Sequence, residues 1–198
     1  WQVKIMKKYI VRSTIITSSL LIITLIFLSN QAALSDDDHY EKRLLGFSGF
    51  RTTDVIPANN PVYKEECGSC HMAYSPGLLP VDSWKKVMLG LDNHFGDNAE
   101  LDLKTSKEIL SYLIENAADN SEYGRSQKFA GSFSDKVVDR ITQTPYFIRK
   151  HDEIPKRIFA NNPKLSSFSQ CSQCHQNAEK GSFDEDEVNI PGIGRWDD

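Results

Sequence analysis

The sequence predicts a mostly α fold of short helices and long loops, arranged in two halves, with little or no sheet. Three observations carry that expectation. Apolar residues recur at helical spacing in several short runs. No alternating apolar–polar run is long enough for a substantial sheet. One five-residue pattern occurs twice, once in each half, and uses every cysteine in the chain.

The chain begins with Lys7, Lys8 and Arg12 ahead of an apolar stretch from Ile15 to Leu28. Ala33-Leu34-Ser35 then offers a small-x-small cleavage site before Asp36. This is the layout of an export signal, so residues 1–35 are read as a signal peptide. Tyr9 to Leu28 is almost long enough to span a bilayer, which leaves a retained anchor as the alternative.

In the first half, residues 36–125, Trp84, Val87, Met88 and Leu91 stand at i, i+3, i+4 and i+7 and predict a helix from Ser83 to Leu91. Asp82 or Ser83 is its expected cap, and Gly96 its stop just after His94. Thr105-Ser106-Lys107-Glu108 reads as a capping box opening a second helix. That helix turns Ile109, Leu110, Leu113, Ile114 and Ala117 inward. The Asn-, Ser- and Gly-rich stretch from Asp119 to Asp135 marks the boundary between the halves.

In the second half, residues 126–198, Val137, Val138 and Ile141 suggest a short helix. Thr144-Pro145 supplies an N-cap followed by proline at the first helical position, opening a helix toward His151. Pro155 opens another that contains Ile158 and Phe159. The Gly- and acid-rich end from Gly181 is expected to be an irregular acidic tail.

The repeated pattern is Cys67-Gly68-Ser69-Cys70-His71 and Cys171-Ser172-Gln173-Cys174-His175. Cys-x-x-Cys-His is the attachment pattern of haem c: each thiol adds across a haem vinyl group and the adjacent histidine binds the iron. Two such motifs with no cysteine left over point to two covalent haems. Three other readings remain: a four-thiolate zinc site, a redox-active pair, and two disulfides in an exported chain. None of these needs a histidine after each pair. Haem is attached outside the bacterial cytoplasm, so the export signal agrees with it independently.

Residues 1–35 hold four basic side chains and no acid, so the remainder carries 19 basic and 27 acidic residues, a formal charge of −8. Nucleic acid is therefore an improbable partner, and a protein with a basic docking face fits better. The acid runs Asp36–Asp38 and Asp184–Glu187 solvate a surface or help such steering. Each haem has roughly 80 residues to enclose it, a length that struggles to bury enough apolar surface unaided. The halves are thus read as haem-centred, with each porphyrin forming part of a core.

The sixth ligand of each iron decides between electron transfer and chemistry at the metal. His71 and His175 are the proximal ligands, which leaves His39, His94 and His151. Among the methionines, Met6 lies in the signal, Met72 adjoins a proximal ligand, and Met88 fits an apolar helix face. His94 follows the first motif closely enough for a helix to carry it back across the first haem. His151 stands close enough before Cys171 to reach the second. These two are the candidate distal ligands, although a crossed pairing is also open, and His39 reads as a solvated residue. Tyr74, Trp84, Phe95, Tyr146, Phe147 and Phe168 are expected to pack around the haems and exclude water.

Beyond the two motifs, the chain carries Leu78-Leu79-Pro80, Ser83-Trp84, His94-Phe95-Gly96 and Thr144-Pro145-Tyr146-Phe147 with His151. In this order, from about Pro61 to Pro191, it resembles the bacterial dihaem cytochromes c of the DHC type. The resemblance implies a periplasmic electron carrier with two low-spin bis-histidine haems, His94 and His151 being the distal ligands. It also implies redox protein partners. Some relatives are thought to pass electrons to a small oxygen-binding c-type cytochrome, and others are linked to a membrane b-type cytochrome. Contact with the membrane itself is expected only if the N-terminal segment is retained. The rival class is a dihaem enzyme or ligand-binding sensor, with peroxidase or nitrogen-oxide chemistry at one open or displaceable iron. Two available distal histidines argue against it.

Overall fold

The computed structural model describes residues 53–133, 137–160, 162–165 and 167–196. The signal segment, the acid run Asp36–Asp38 and His39 lie outside these residues. The described chain is mostly helical, as the apolar spacing predicts, with seven short α-helices, several single 3-10 turns and one two-stranded ribbon.

Helix α1 (Pro61–Cys67) opens with proline after Asn60, whose side chain accepts from Tyr63 N at 2.8 Å. It closes at Gly68, inside the first motif. A Cβ there would stand 2.2 Å from Lys64 O, so the close approach requires glycine. Helix α2 (Val81–Leu89) carries Trp84 and Met88 on its buried face, and Trp84 Nε1 donates to Pro76 O at 2.7 Å. It starts before the predicted Asp82 or Ser83 cap: Pro80 is the cap residue, and the carboxylate of Asp119 accepts from Val81 N at 3.0 Å. It also stops early, at Gly90, and a 3-10 turn (Leu91–Asn93) completes the run to His94.

Helix α3 (Leu103–Glu115) corrects the capping-box expectation. Asp102 is the N-cap, accepting from Lys104 N and Thr105 N, and Thr105 spends its hydroxyl on that same carboxylate. Most of the predicted inward face holds: Ile109, Leu113 and Ala117 are buried, with Leu110 packed beside them, while Ile114 is only half-buried. They meet Tyr63, Leu79, Trp84, Met88 and Leu91 in one apolar cluster. Met88 belongs to this core.

The expected boundary loop contains a helix, α4 (Gly124–Gly131), which buries Ser126 and Phe129. It packs on the Pro76–Leu78 turn, where a Cβ on Gly77 would meet Ser126 Oγ at 2.3 Å. The helix suggested by Val137, Val138 and Ile141 is only a 3-10 turn (Ile141–Gln143). Helix α5 (Pro145–His151) forms as predicted, capped by the fully buried Thr144 through its bond to Phe147 N. Phe129 meets Tyr146 edge-on, and with Val55, Leu78, Ala118 and Phe147 they make a second cluster.

Helix α6 (Arg157–Ala160) follows Pro155, and α7 (Cys171–Cys174) is the second motif itself. The tail is less irregular than its composition implies. Strands β1 (Asn189–Ile190) and β2 (Gly194–Arg195) pair antiparallel, and Leu165, Val188 and Ile190 form a third small cluster. Residues far apart in sequence close the body. Asp54 N and Val55 N both donate to Gly181 O, at 2.8 and 3.1 Å, and Asp54 Oδ2 accepts from Phe183 N at 2.6 Å.

Candidate haem sites

The first motif occupies the end of α1 and the turn after it. His71 donates from Nδ1 to Met72 O at 2.7 Å, because a carbonyl can only accept. That bond places the proton on Nδ1 and leaves Nε2 with its lone pair, the tautomer a metal ligand needs. Across from it stands His94, with ring centroids 6.3 Å apart. His94 is held there by a tight reversal. Its N–H donates to Asp97 O at 2.7 Å, Phe95 adopts φ +58°, and Gly96 adopts φ +114°. Glycine suits that second position, where a side chain would be strained. Burial, reinforced by His71 and Arg140 against Asp97, lowers the His94 pKa and favours its neutral form.

The second motif repeats the arrangement with different parts. His175 follows α7, its N–H donating to Cys171 O at 2.8 Å. The last residue of α5, His151, faces it with centroids 6.2 Å apart. His151 donates from Nδ1 to Phe147 O at 2.9 Å, one helical turn back, and its ring stacks on Phe147 at 3.9 Å. Phe168 stands edge-on to both rings, and Phe183 lies 5.3 Å from His175. Burial, then His151 and Arg125, push the His175 imidazole down to about 4, so it is neutral at pH 7. Its Nδ1 is buried with no hydrogen-bond partner among the described residues.

These residues fit a haem iron between each facing pair. Metal–imidazole bonds of about 2 Å on opposite sides of one ion place the ring centroids roughly 6 Å apart. Both observed separations match. The competing uses of the cysteines do not. The four thiols are not bonded to one another, and no three His, Cys, Asp or Glu side chains converge among the described residues. Burial pushes the Cys67 and Cys171 thiols up to about 11, whereas a reactive redox thiol has a depressed pKa.

The structure therefore brings the His94 ring to His71 of the first motif and the His151 ring to His175 of the second. Of the expected packing aromatics, Trp84 and Tyr146 lie fully in the core, Phe147 and Phe168 line the second pair, and Tyr74 stacks on His71. Phe95 is the exception: it touches His94 but is 46% exposed, with the Arg140 guanidinium over its ring. Arg125 and Phe183 were not legible as site residues. Arg125 acts on His175 electrostatically from far back in the chain and Phe183 lies shortly after the motif, and neither has a motif or spacing to mark it.

Two motifs with two opposed histidine pairs on a mostly helical frame define a c-type cytochrome with two haems. The dihaem cytochrome c family model matches residues 63–183, and the chain belongs to that family. It carries two haem c groups. The dihaem cytochrome c of Shewanella baltica OS155 is 51% identical and superposes with a TM-score of 0.58, covering 70% of this chain and 98% of that one. A dihaem cytochrome c from Rhodobacter sphaeroides is 42% identical with a TM-score of 0.58, covering 65% of this chain and all of its own. A second structure, of DHC purified from Rhodobacter sphaeroides, is 40% identical with a TM-score of 0.53. No match is found among curated proteins.

Proposed function

We propose that the chain is a periplasmic electron carrier with both irons closed by histidine. The observation that carries this is the pair of imidazole–imidazole separations, 6.3 and 6.2 Å. Cys67 and Cys70 hold the first haem and His71 and His94 ligate its iron. Cys171 and Cys174 hold the second, with His175 and His151. Each bound haem supplies an iron that exchanges one electron between the ferric and ferrous states. The protein's part is to keep the surroundings of that iron the same in both states. Carbonyl bonds from Met72 and Phe147 fix two of the four rings, and the stacked Tyr74 and Phe147 restrain the same two. Two nitrogen ligands favour ferric iron relative to a His/Met pair and so lower the potential.

In this reading residues 1–35 direct export, residues 36–125 serve the first haem, and residues 126–198 serve the second. No helix among the described residues is long and apolar enough to cross a membrane. The partners are redox proteins, a small oxygen-binding c-type cytochrome or a membrane b-type cytochrome being the two candidates the resemblance implies, and the charge of −8 beyond residue 35 favours a partner with a basic docking face. Carbon monoxide added to the dithionite-reduced holoprotein tests the closed irons. The expected result is no rapid binding, and rapid stoichiometric binding at either haem would move the protein to the enzyme or sensor class.

A further inference from the structure

Tyr74 touches the first haem site and the segment that leads into the second motif. Its ring stacks on His71 with centroids 4.7 Å apart and planes 26° apart. Its hydroxyl donates to Ser169 O at 2.6 Å, across 95 residues of chain. Cys171 Sγ approaches that same carbonyl at 3.8 Å. The ring packs against both the first apolar cluster and the second. Tyr63 donates from Oη to Tyr74 O at 2.8 Å, a bond that bears on neither the ring nor the hydroxyl of Tyr74. Filling space alone would need neither the hydroxyl nor the stacked orientation.

We propose that Tyr74 is a positioning residue that couples the two haem sites, its ring holding the plane of the His71 imidazole and its hydroxyl holding the peptide that presents Cys171. A ligating imidazole is free to turn about its metal–nitrogen bond unless its other nitrogen and its faces are engaged. Met72 O engages the nitrogen of His71 and Tyr74 covers a face. Residues 167–170, just before α7, form a turn and no helix or strand, and the bond to Ser169 O ties that turn to the residue stacked on His71. The two functions sit on different atoms of one side chain and can be removed separately.

This inference rests on haems being held at both motifs, as proposed above, and EPR spectroscopy of the ferric holoprotein tests it. Each low-spin haem gives its own signal, and His94→Ala identifies that of the first. Tyr74→Phe, which keeps the ring, is expected to shift the signal of the second haem and leave the first near its native position. Tyr74→Leu, which removes ring and hydroxyl together, is expected to shift both. Tyr63→Phe removes a bond to the same residue's backbone and is expected to shift neither. Native signals from both haems in Tyr74→Leu would overturn the proposal, and so would equal shifts in Tyr63→Phe. Should Tyr74→Leu take up too little haem, Tyr74→Phe decides alone, an unshifted second signal being the contrary result. Failure of the closed-carrier reading shows separately, as carbon monoxide binding by the unaltered protein.

Discussion

His94 and His151 are the side chains at which a closed carrier and an open catalyst part company. Each faces the histidine of one motif, at 6.3 and 6.2 Å between ring centroids. Replacing His94 with Ala should therefore convert the first haem alone to a high-spin form that binds carbon monoxide when reduced. His151→Ala should do the same to the second haem alone. Optical and EPR spectra of the two variants check this, and a high-spin second haem in His94→Ala would reveal a crossed pairing. Their candidacy was readable in the sequence because histidine is scarce and two irons need ligands. The Tyr74–Ser169 bond and the approach of Arg125 were not. They depend on residues brought together by folding, and neither a loop tyrosine nor an arginine at the start of helix α4 carries a spacing signal for such a contact.

The elements that deliver the histidines are short, and their ends matter more than their middles. Helix α5 spans only Pro145–His151, so Thr144 at its start and His151 at its end are two turns apart. Thr144 Oγ1 donates to Ile141 O at 2.8 Å and accepts from Phe147 N at 3.2 Å, with no exposure to solvent. Thr144→Ala should cost about 1–2 kcal/mol of stability through loss of this cap. Denaturant unfolding of the holoprotein measures it, Thr144→Ser should recover most of the loss, and an unchanged midpoint for Thr144→Ala would contradict it. This cap was readable from Thr144-Pro145, because proline removes the alternatives. Other ends were not. Thr105 resembles a cap, but Asp102 lies a turn earlier and accepts from Lys104 N and Thr105 N, so the helix has already begun before Thr105. Helix α4 was read as loop because Gly124, Ser126 and Gly131 have poor helix propensity; burial of Phe129 and Ser126 against neighbouring turns overrides it.

Across the whole molecule, the two haem sites share a framework of long-range contacts. The chain near Asp54 is hydrogen-bonded beside the second motif, at Gly181 and Phe183, and Tyr74 is bonded to Ser169. The sequence divides by motif into two halves and says little about such closure, since hydrogen bonds between distant loops leave no periodic trace. Fold class was legible because the apolar runs are helical and the strands are only two residues long. The measurement that bears most directly on both irons at once is the spin state of the ferric holoprotein, by near-infrared magnetic circular dichroism and EPR. Two low-spin signals from bis-histidine irons, with no high-spin component, are the predicted result. A stoichiometric high-spin signal from either haem would contradict the closed two-haem carrier.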